Sequence, residues 1–278
     1  MAIAKEDYKE PRCLLDMTPP SEKPVRSIDV RRVEEKLDEL LDREEFDRAE
    51  KLLDYWMAEA QSGNDRRGEF AVLNEIAGLK RKLGKKDEAV AAAERAVALG
   101  NALGIMDTVG GATAYINQGT VYEAFDRASD AVTSYEKALP VYEKELEPLH
   151  PKRGGLYNNL AMALALSGRY DEAFSYYDMA LGVMSNVPGG EIECALTKLN
   201  MANCYEAKYG LLDGSEMIEE CLADAQELLD TPGLANSGYY AFMADKCVET
   251  FRYYGWFAYA DELEKRVKDI YERIRSGI

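Results

Sequence analysis

The feature that most constrains this 278-residue chain is a turn-plus-alanine motif that returns at nearly constant spacing. It reads Glu45-Phe46-Asp47-Arg48-Ala49, Lys86-Asp87-Glu88-Ala89, Ala128-Ser129-Asp130-Ala131 and Tyr170-Asp171-Glu172-Ala173, each copy closing on a marker alanine. A fifth copy is degenerate, with Glu216-Met217-Ile218 where the alanine motif belongs, and a sixth returns as Phe257-Ala258-Tyr259-Ala260. Units of this size cannot each enclose a core, so they must stack on their neighbours.

The stretch from Leu156 to Leu181 shows what one unit is. Tyr157, Leu160, Ala161 and Leu164 fall on one helical face, and Ala173, Tyr177, Ala180 and Leu181 fall on another. Between them Gly168 supplies a left-handed residue that ends the first helix, and Asp171 is placed to cap the second. Small Ala161 and Ala173 let the two helices approach closely. The same pattern predicts first helices over 29–41, 67–83, 108–125, 152–166, 191–208 and 234–254. Second helices are predicted over 46–61, 86–103, 128–146, 171–184, 215–229 and 257–275. Twelve helices without a strand pattern predict an all-α, right-handed α-solenoid of about six antiparallel helix pairs. Leu263, Val267, Ile270 and Ile274 form one stripe on the last helix, which reads as a terminal cap with polar outer faces.

These motifs resemble a tetratricopeptide repeat, and the His150-Pro151 lead-in makes the unit similar to the longer kinesin-light-chain type. The resemblance covers residues 28 to 278 and is strongest in the third and fourth units. There Tyr115, Gly119, Tyr122, Ala131, Tyr135 and Ala138 align with Tyr157, Ala161, Leu164, Ala173, Tyr177 and Ala180. The usual period of this family is about 34 residues; about eight more add about one turn to each helix of a pair. What the resemblance implies is a non-catalytic scaffold that binds a peptide segment of another protein in a concave groove lined by the first helices.

Mapped register by register, that groove would be built by Thr113, Ile116, Asn117, Thr120, Glu123 and Ala124 in the third unit. The fourth would contribute Asn158, Asn159, Met162, Ala165 and Leu166, and the fifth Leu196, Leu199, Asn200, Asn203, Glu206 and Ala207. Asn117, Asn159 and Asn200 recur at nearly the same interval as the marker alanines. Asn is a poor interior helix residue, so its recurrence needs a cause. One cause is recognition, because a carboxamide matches the N–H and C=O of an extended peptide. The other is a hydrogen bond to a neighbouring helix or turn. Family members that clamp a C-terminal carboxylate place Lys and Arg in this groove. Here Glu123 and Glu206 stand instead, so a neutral or basic peptide with apolar contacts to Ile116, Met162, Leu166 and Leu199 fits better. Arg81 and Lys82 form the one basic spot.

Residues 1–27 stand apart as a proline-rich extension, where Pro11, Pro19, Pro20 and Pro24 deny a continuous helix. Its apolar residues Tyr8, Cys13, Leu14, Leu15 and Met17 are expected to pack on the first helices or to occupy the groove. With 34 basic and 51 acidic residues, net charge −17, the chain repels phosphate backbones and anionic membranes. Between Glu191 and Glu249 stand twelve acids and three bases. That excess is either a solvated face or an attraction for a basic partner. No apolar run is long enough for a membrane span. The start is too charged for a secretory signal, and Cys13, Cys194, Cys204, Cys221 and Cys247 form no CxxC pair. Together these predict reduced, mostly buried thiols and a cytoplasmic location.

Catalytic signatures are absent from the sequence. His150 is the only histidine and reads as a helix lead-in, leaving no multi-His metal site and no implied cofactor. Gly78 with Gly84-Lys85-Lys86 mimics a phosphate loop at the wrong spacing and without Ser or Thr. Two further readings stand beside the scaffold. One is a regulator that senses a peptide or small ligand. The other is a self-associating structural protein. Nine aromatic residues fall between Tyr239 and Tyr259. Most are expected in the core, with Tyr253, Tyr254 and Trp256 as the interface of a homodimer.

Overall fold

The computed structural model describes residues 26–235 and 237–276, and the proline-rich stretch through residue 25 lies outside them. Twelve α-helices and no strand occur among the described residues. They gather into two compact units, the first ending at Leu146 and the second beginning at Glu147.

The first unit holds α1 (Val30–Asp42), α2 (Phe46–Ser62), α3 (Arg66–Lys82), α4 (Lys86–Leu103), α5 (Val109–Ala124) and α6 (Ala128–Glu145). Close to where its described chain starts is a buried polar tie. Asp65, 6% exposed, accepts the amide of Ile28 at 2.9 Å through one carboxylate oxygen and that of Gly68 at 2.9 Å through the other. One side chain thus caps α3 and pins the stretch of chain that precedes α1. Ile28 then joins Val33, Leu37, Leu40, Leu53 and Leu79 in the core between the first three helices. The marker alanines Ala49, Ala89 and Ala131 are fully buried, which brings paired helices close.

The second unit holds α7 (Pro151–Leu166), α8 (Tyr170–Met184), α9 (Glu191–Asp213), α10 (Ser215–Leu229), α11 (Gly238–Tyr253) and α12 (Phe257–Ser276). His150 does lead in α7: its ring nitrogen Nδ1 accepts the Lys152 amide at 3.1 Å, with Pro151 in the first turn. Asp171 does not cap α8. Arg169 holds that position without a side-chain bond, and Asp171 instead pairs with Lys208. Helix α11 begins at Gly238 rather than at 234, because residues 231–234 form a turn through Gly233, whose φ is +85°. On α12 the cap stripe is buried at Leu263, Val267 and Ile270, but Ile274 is 53% exposed.

One regularity underlies the motif. A residue with positive φ stands five positions before each good marker: Glu44, Gly84, Asp126, Gly168 and Gly255. Gly210 keeps the spacing, as far beyond Gly168 as Gly168 is beyond Asp126, with φ +82° inside α9. The first buried residue of α10, Ile218, then comes three positions late. The three extra positions are 211–213, and Leu212 among them is 89% exposed. An insertion after the turn, rather than loss of the turn, is what makes the fifth unit look degenerate.

Candidate functional site

Four half-buried asparagines of the first helices meet in pairs, one pair in each unit. In the first, Asn117 Nδ2 donates to Asn74 Oδ1 at 3.0 Å, and Asn74 Nδ2 donates back to the Phe70 carbonyl at 2.9 Å. In the second, Asn158 Oδ1 accepts from Asn200 Nδ2 and from Thr197 Oγ1, each at 3.2 Å. Asn158 also lies 3.6 Å from Met162 Sδ through its nitrogen. The carboxamides therefore bond helix to helix, and in the second unit the residue that meets Asn200 is Asn158. Asn159, one position on, is half-buried, with no side-chain hydrogen bond among the described residues. The paired asparagines, Asn74 with Asn117 and Asn158 with Asn200, thus have a structural use, and Asn159 does not share it.

The expected apolar anchors separate. Ile116 and Met162 are half-buried on their helix faces, and Leu166 is 66% exposed at the end of α7. Leu199 is 1% exposed and belongs to the core, because it lies on the face of α9 that carries Cys194, Ala195 and Ala202. It is not a groove residue. Asn203 is exposed, with its side-chain amide 3.0 Å from the Tyr254 hydroxyl oxygen.

The two acidic residues expected in the groove are engaged in different ways. Glu123 accepts the hydroxyl of fully buried Tyr135 at 2.9 Å, and burial raises its pKa against that bond and the charge of Arg81. Glu206 receives two hydroxyls, Tyr253 on one oxygen and Tyr254 on the other, both at 2.7 Å. Burial, then Glu206, pushes the Tyr254 phenol above its ordinary range. In the first unit Glu75 faces Glu34 and Asp38 of α1; burial first, then these two charges, raise it from 4.5 to about 7.

Of the nine C-terminal aromatics, Tyr240, Phe251 and Tyr259 are buried, Tyr254 and Trp256 are half-buried, and Tyr239, Phe242, Tyr253 and Phe257 are exposed. The expectation that most are core is therefore corrected. The reason is spacing: residues 239, 242, 246, 249 and 253 share one face of α11, and each of them is exposed. Each polar edge near it meets a carboxylate. Tyr239 donates to Glu193, and Trp256 Nε1 donates to Glu219 at 3.0 Å.

Cys194, Cys204, Cys221 and Cys247 are free and buried. Among the described residues no group of three or more His, Cys, Asp or Glu side chains is arranged to hold a metal ion. Gly84-Lys85-Lys86 is a helix-to-helix turn in which Lys85 pairs with Glu50 at 2.5 Å. No described helix is long and apolar enough to cross a membrane.

Paired helices with buried small residues at the crossings and polar, half-buried first-helix faces define a helical-repeat protein. The tetratricopeptide repeat model matches residues 68–144, 110–186 and 152–212, which together take in more than half of the chain. The chain belongs to the tetratricopeptide repeat family, and its long units are of the kinesin-light-chain type. It is 31% identical over 123 residues to the kinesin light chain-related protein 1 of Arabidopsis thaliana. It is 30% identical over 98 residues to the mitochondrial tetratricopeptide repeat protein 19 of Homo sapiens. These matches take in 42% and 35% of this chain but only 19% and 25% of those two proteins.

Among solved structures, BtubC (BKLC) from P. vanneervenii superposes with a TM-score of 0.63 at 20% identity, covering 72% of this chain and 79% of that one. A Rap protein complexed with competence and sporulation factor superposes at 0.54 with 14% identity, covering 90% and 67%. At these identities the likeness is one of fold. Proteins of the family generally act as protein-interaction scaffolds and are typically non-catalytic.

Proposed function

We propose that this chain is a protein-interaction scaffold that holds an extended segment of a partner along the first-helix faces of its second unit. The observation that carries the reading is the Asn158–Asn200 pair, two carboxamides joined across α7 and α9 beside Met162 and Leu166. Pairing fixes both side chains in orientation and leaves the Asn200 oxygen and further amide hydrogens to meet a peptide backbone. Asn159 and Asn203 extend the same polar strip, and the apolar contacts come from Met162 and Leu166. Asn117 and Ile116 offer a similar combination on α5 of the first unit.

The test is selection of a phage-displayed random peptide library on the intact protein, followed by affinity measurement of the enriched peptides. Enrichment that weakens about tenfold or more in Asn158→Ala/Asn200→Ala, with an unchanged circular dichroism spectrum, supports the reading. Peptides that bind the double variant as well as the wild type would overturn it.

A further inference from the structure

The second unit contains a cleft where the chain entering α9 and the chain entering α11 come together. Its volume is about 370 Å³, and its lining includes Pro188, Glu193, Leu234, Ser237 and the ring of Tyr239. No lysine or arginine lines it. The Glu193 carboxylate is held in place by the Tyr239 hydroxyl, which donates to Oε1. Its second oxygen, Oε2, is buried, and no donor of the described residues reaches it. A buried acceptor without a donor is uncommon in a folded protein and asks for a partner.

The surroundings say which kind. Of the three bases between Glu191 and Glu249, Lys198 is held by Asp224 and Lys208 by Asp171. The third, Lys246, lies 4.1 Å from the centre of the Phe242 ring, one turn beyond Tyr239 on the exposed face of α11. Twelve carboxylates share that segment. The face therefore already seats one cation on an aromatic ring, and it presents a second exposed ring beside an unfilled carboxylate oxygen.

We infer that this cleft receives a lysine or arginine side chain of the bound segment, with the Glu193 carboxylate accepting its N–H and the Tyr239 ring flanking its stem. The inference rests on the scaffold reading and names the chemistry of the partner: a basic protein segment. One free carboxylate oxygen and a ring edge suit a charged donor better than a neutral one. The acidic surroundings also favour its approach.

The same peptide selection, on the intact protein, separates the two readings. The wild type is expected to enrich peptides with a lysine or arginine at one fixed position. Glu193→Gln should weaken these about tenfold or more, and Tyr239→Ala should weaken them as well. Glu227→Gln, an equal charge change on α10 outside the cleft, should leave them unchanged. Wild-type peptides without a basic position, or equal binding by Glu193→Gln, would overturn the inference while leaving the scaffold intact. Equal weakening by Glu193→Gln and Glu227→Gln would show only a diffuse field and would also overturn it. Displacement of the peptides by millimolar free arginine, itself binding in calorimetry, would replace the segment with a small molecule. No enriched peptide at all would remove both readings.

Discussion

Gly119 on α5 faces the ring of Tyr135 on α6 so closely that a methyl group at residue 119 would stand 2.3 Å from the ring's Cε1 atom. Tyr135 is fully buried and its hydroxyl is committed to Glu123, so the ring cannot step aside. In a helix interior, replacing glycine by alanine normally gains about 1 kcal/mol. At Gly119 overpacking should reverse that sign and destabilise by about 1–3 kcal/mol. At Gly78 on α3 a Cβ meets nothing within 4 Å, so Gly78→Ala should show the ordinary gain. Urea unfolding of the two variants gives the comparison directly. A stabilised Gly119→Ala would mean that the helices can separate without loss.

The turn position five residues before each marker makes a second contrast. Gly84, Gly168 and Gly255 adopt positive φ without strain, whereas Glu44 does so at φ +56° with a side chain that resists it. Glu44→Gly should therefore stabilise the first unit by about 0.5–1 kcal/mol, and Gly168→Ala should cost a comparable amount in the second. Thermal unfolding that moves in the same direction for both substitutions would contradict a shared turn geometry.

Burial above all pushes the thiols up, Cys194, Cys204 and Cys221 to about 11 and Cys247 to about 12. All four lie in the second unit and none is exposed. Only the thiolate reacts with an aromatic disulfide reagent, so these cysteines should label at the rate at which that unit opens. Labelling of the four should rise together with denaturant. Rapid native labelling of any one of them, located by mass spectrometry, would show a local opening.

Much of the fold was legible because its signals are local. Marker alanines and flanking turns placed ten of the twelve helices to within about one residue at each end. What local pattern could not supply was contact between units of sequence far apart. Asn200 was matched by register to Asn159, yet its partner is Asn158, because a shift of one residue turns a side chain by about 100° around the helix. Leu199 was misplaced for the same reason. The cleft beside Glu193 gave no motif at all: it is made by chain around residues 188 and 234 that carries no periodicity, and only folding brings it to the α9 carboxylate. Gly210 could have been found, since it continues the evenly spaced series of Gly84, Asp126 and Gly168 without a break.

Glu75 makes the stability of the first unit depend on pH with a definite sign. Its carboxyl is raised from 4.5 to about 7, chiefly by burial and then by Glu34 and Asp38. The native state thus binds this proton more tightly than the unfolded chain does. Where the native group is protonated and the unfolded one is not, raising the pH lowers stability. The contribution of Glu75 is therefore unfavourable in full above about pH 7 and absent below about pH 4.5. Glu75→Gln keeps the shape and removes the charge. It should stabilise by about 1–3 kcal/mol near pH 8 and by little near pH 4, measured by urea unfolding at both. Salt should narrow the difference, since the part owed to Glu34 and Asp38 is screened while the burial part is not. An equal effect at both pH values would mean that the carboxyl is solvated and that α1 does not cover it.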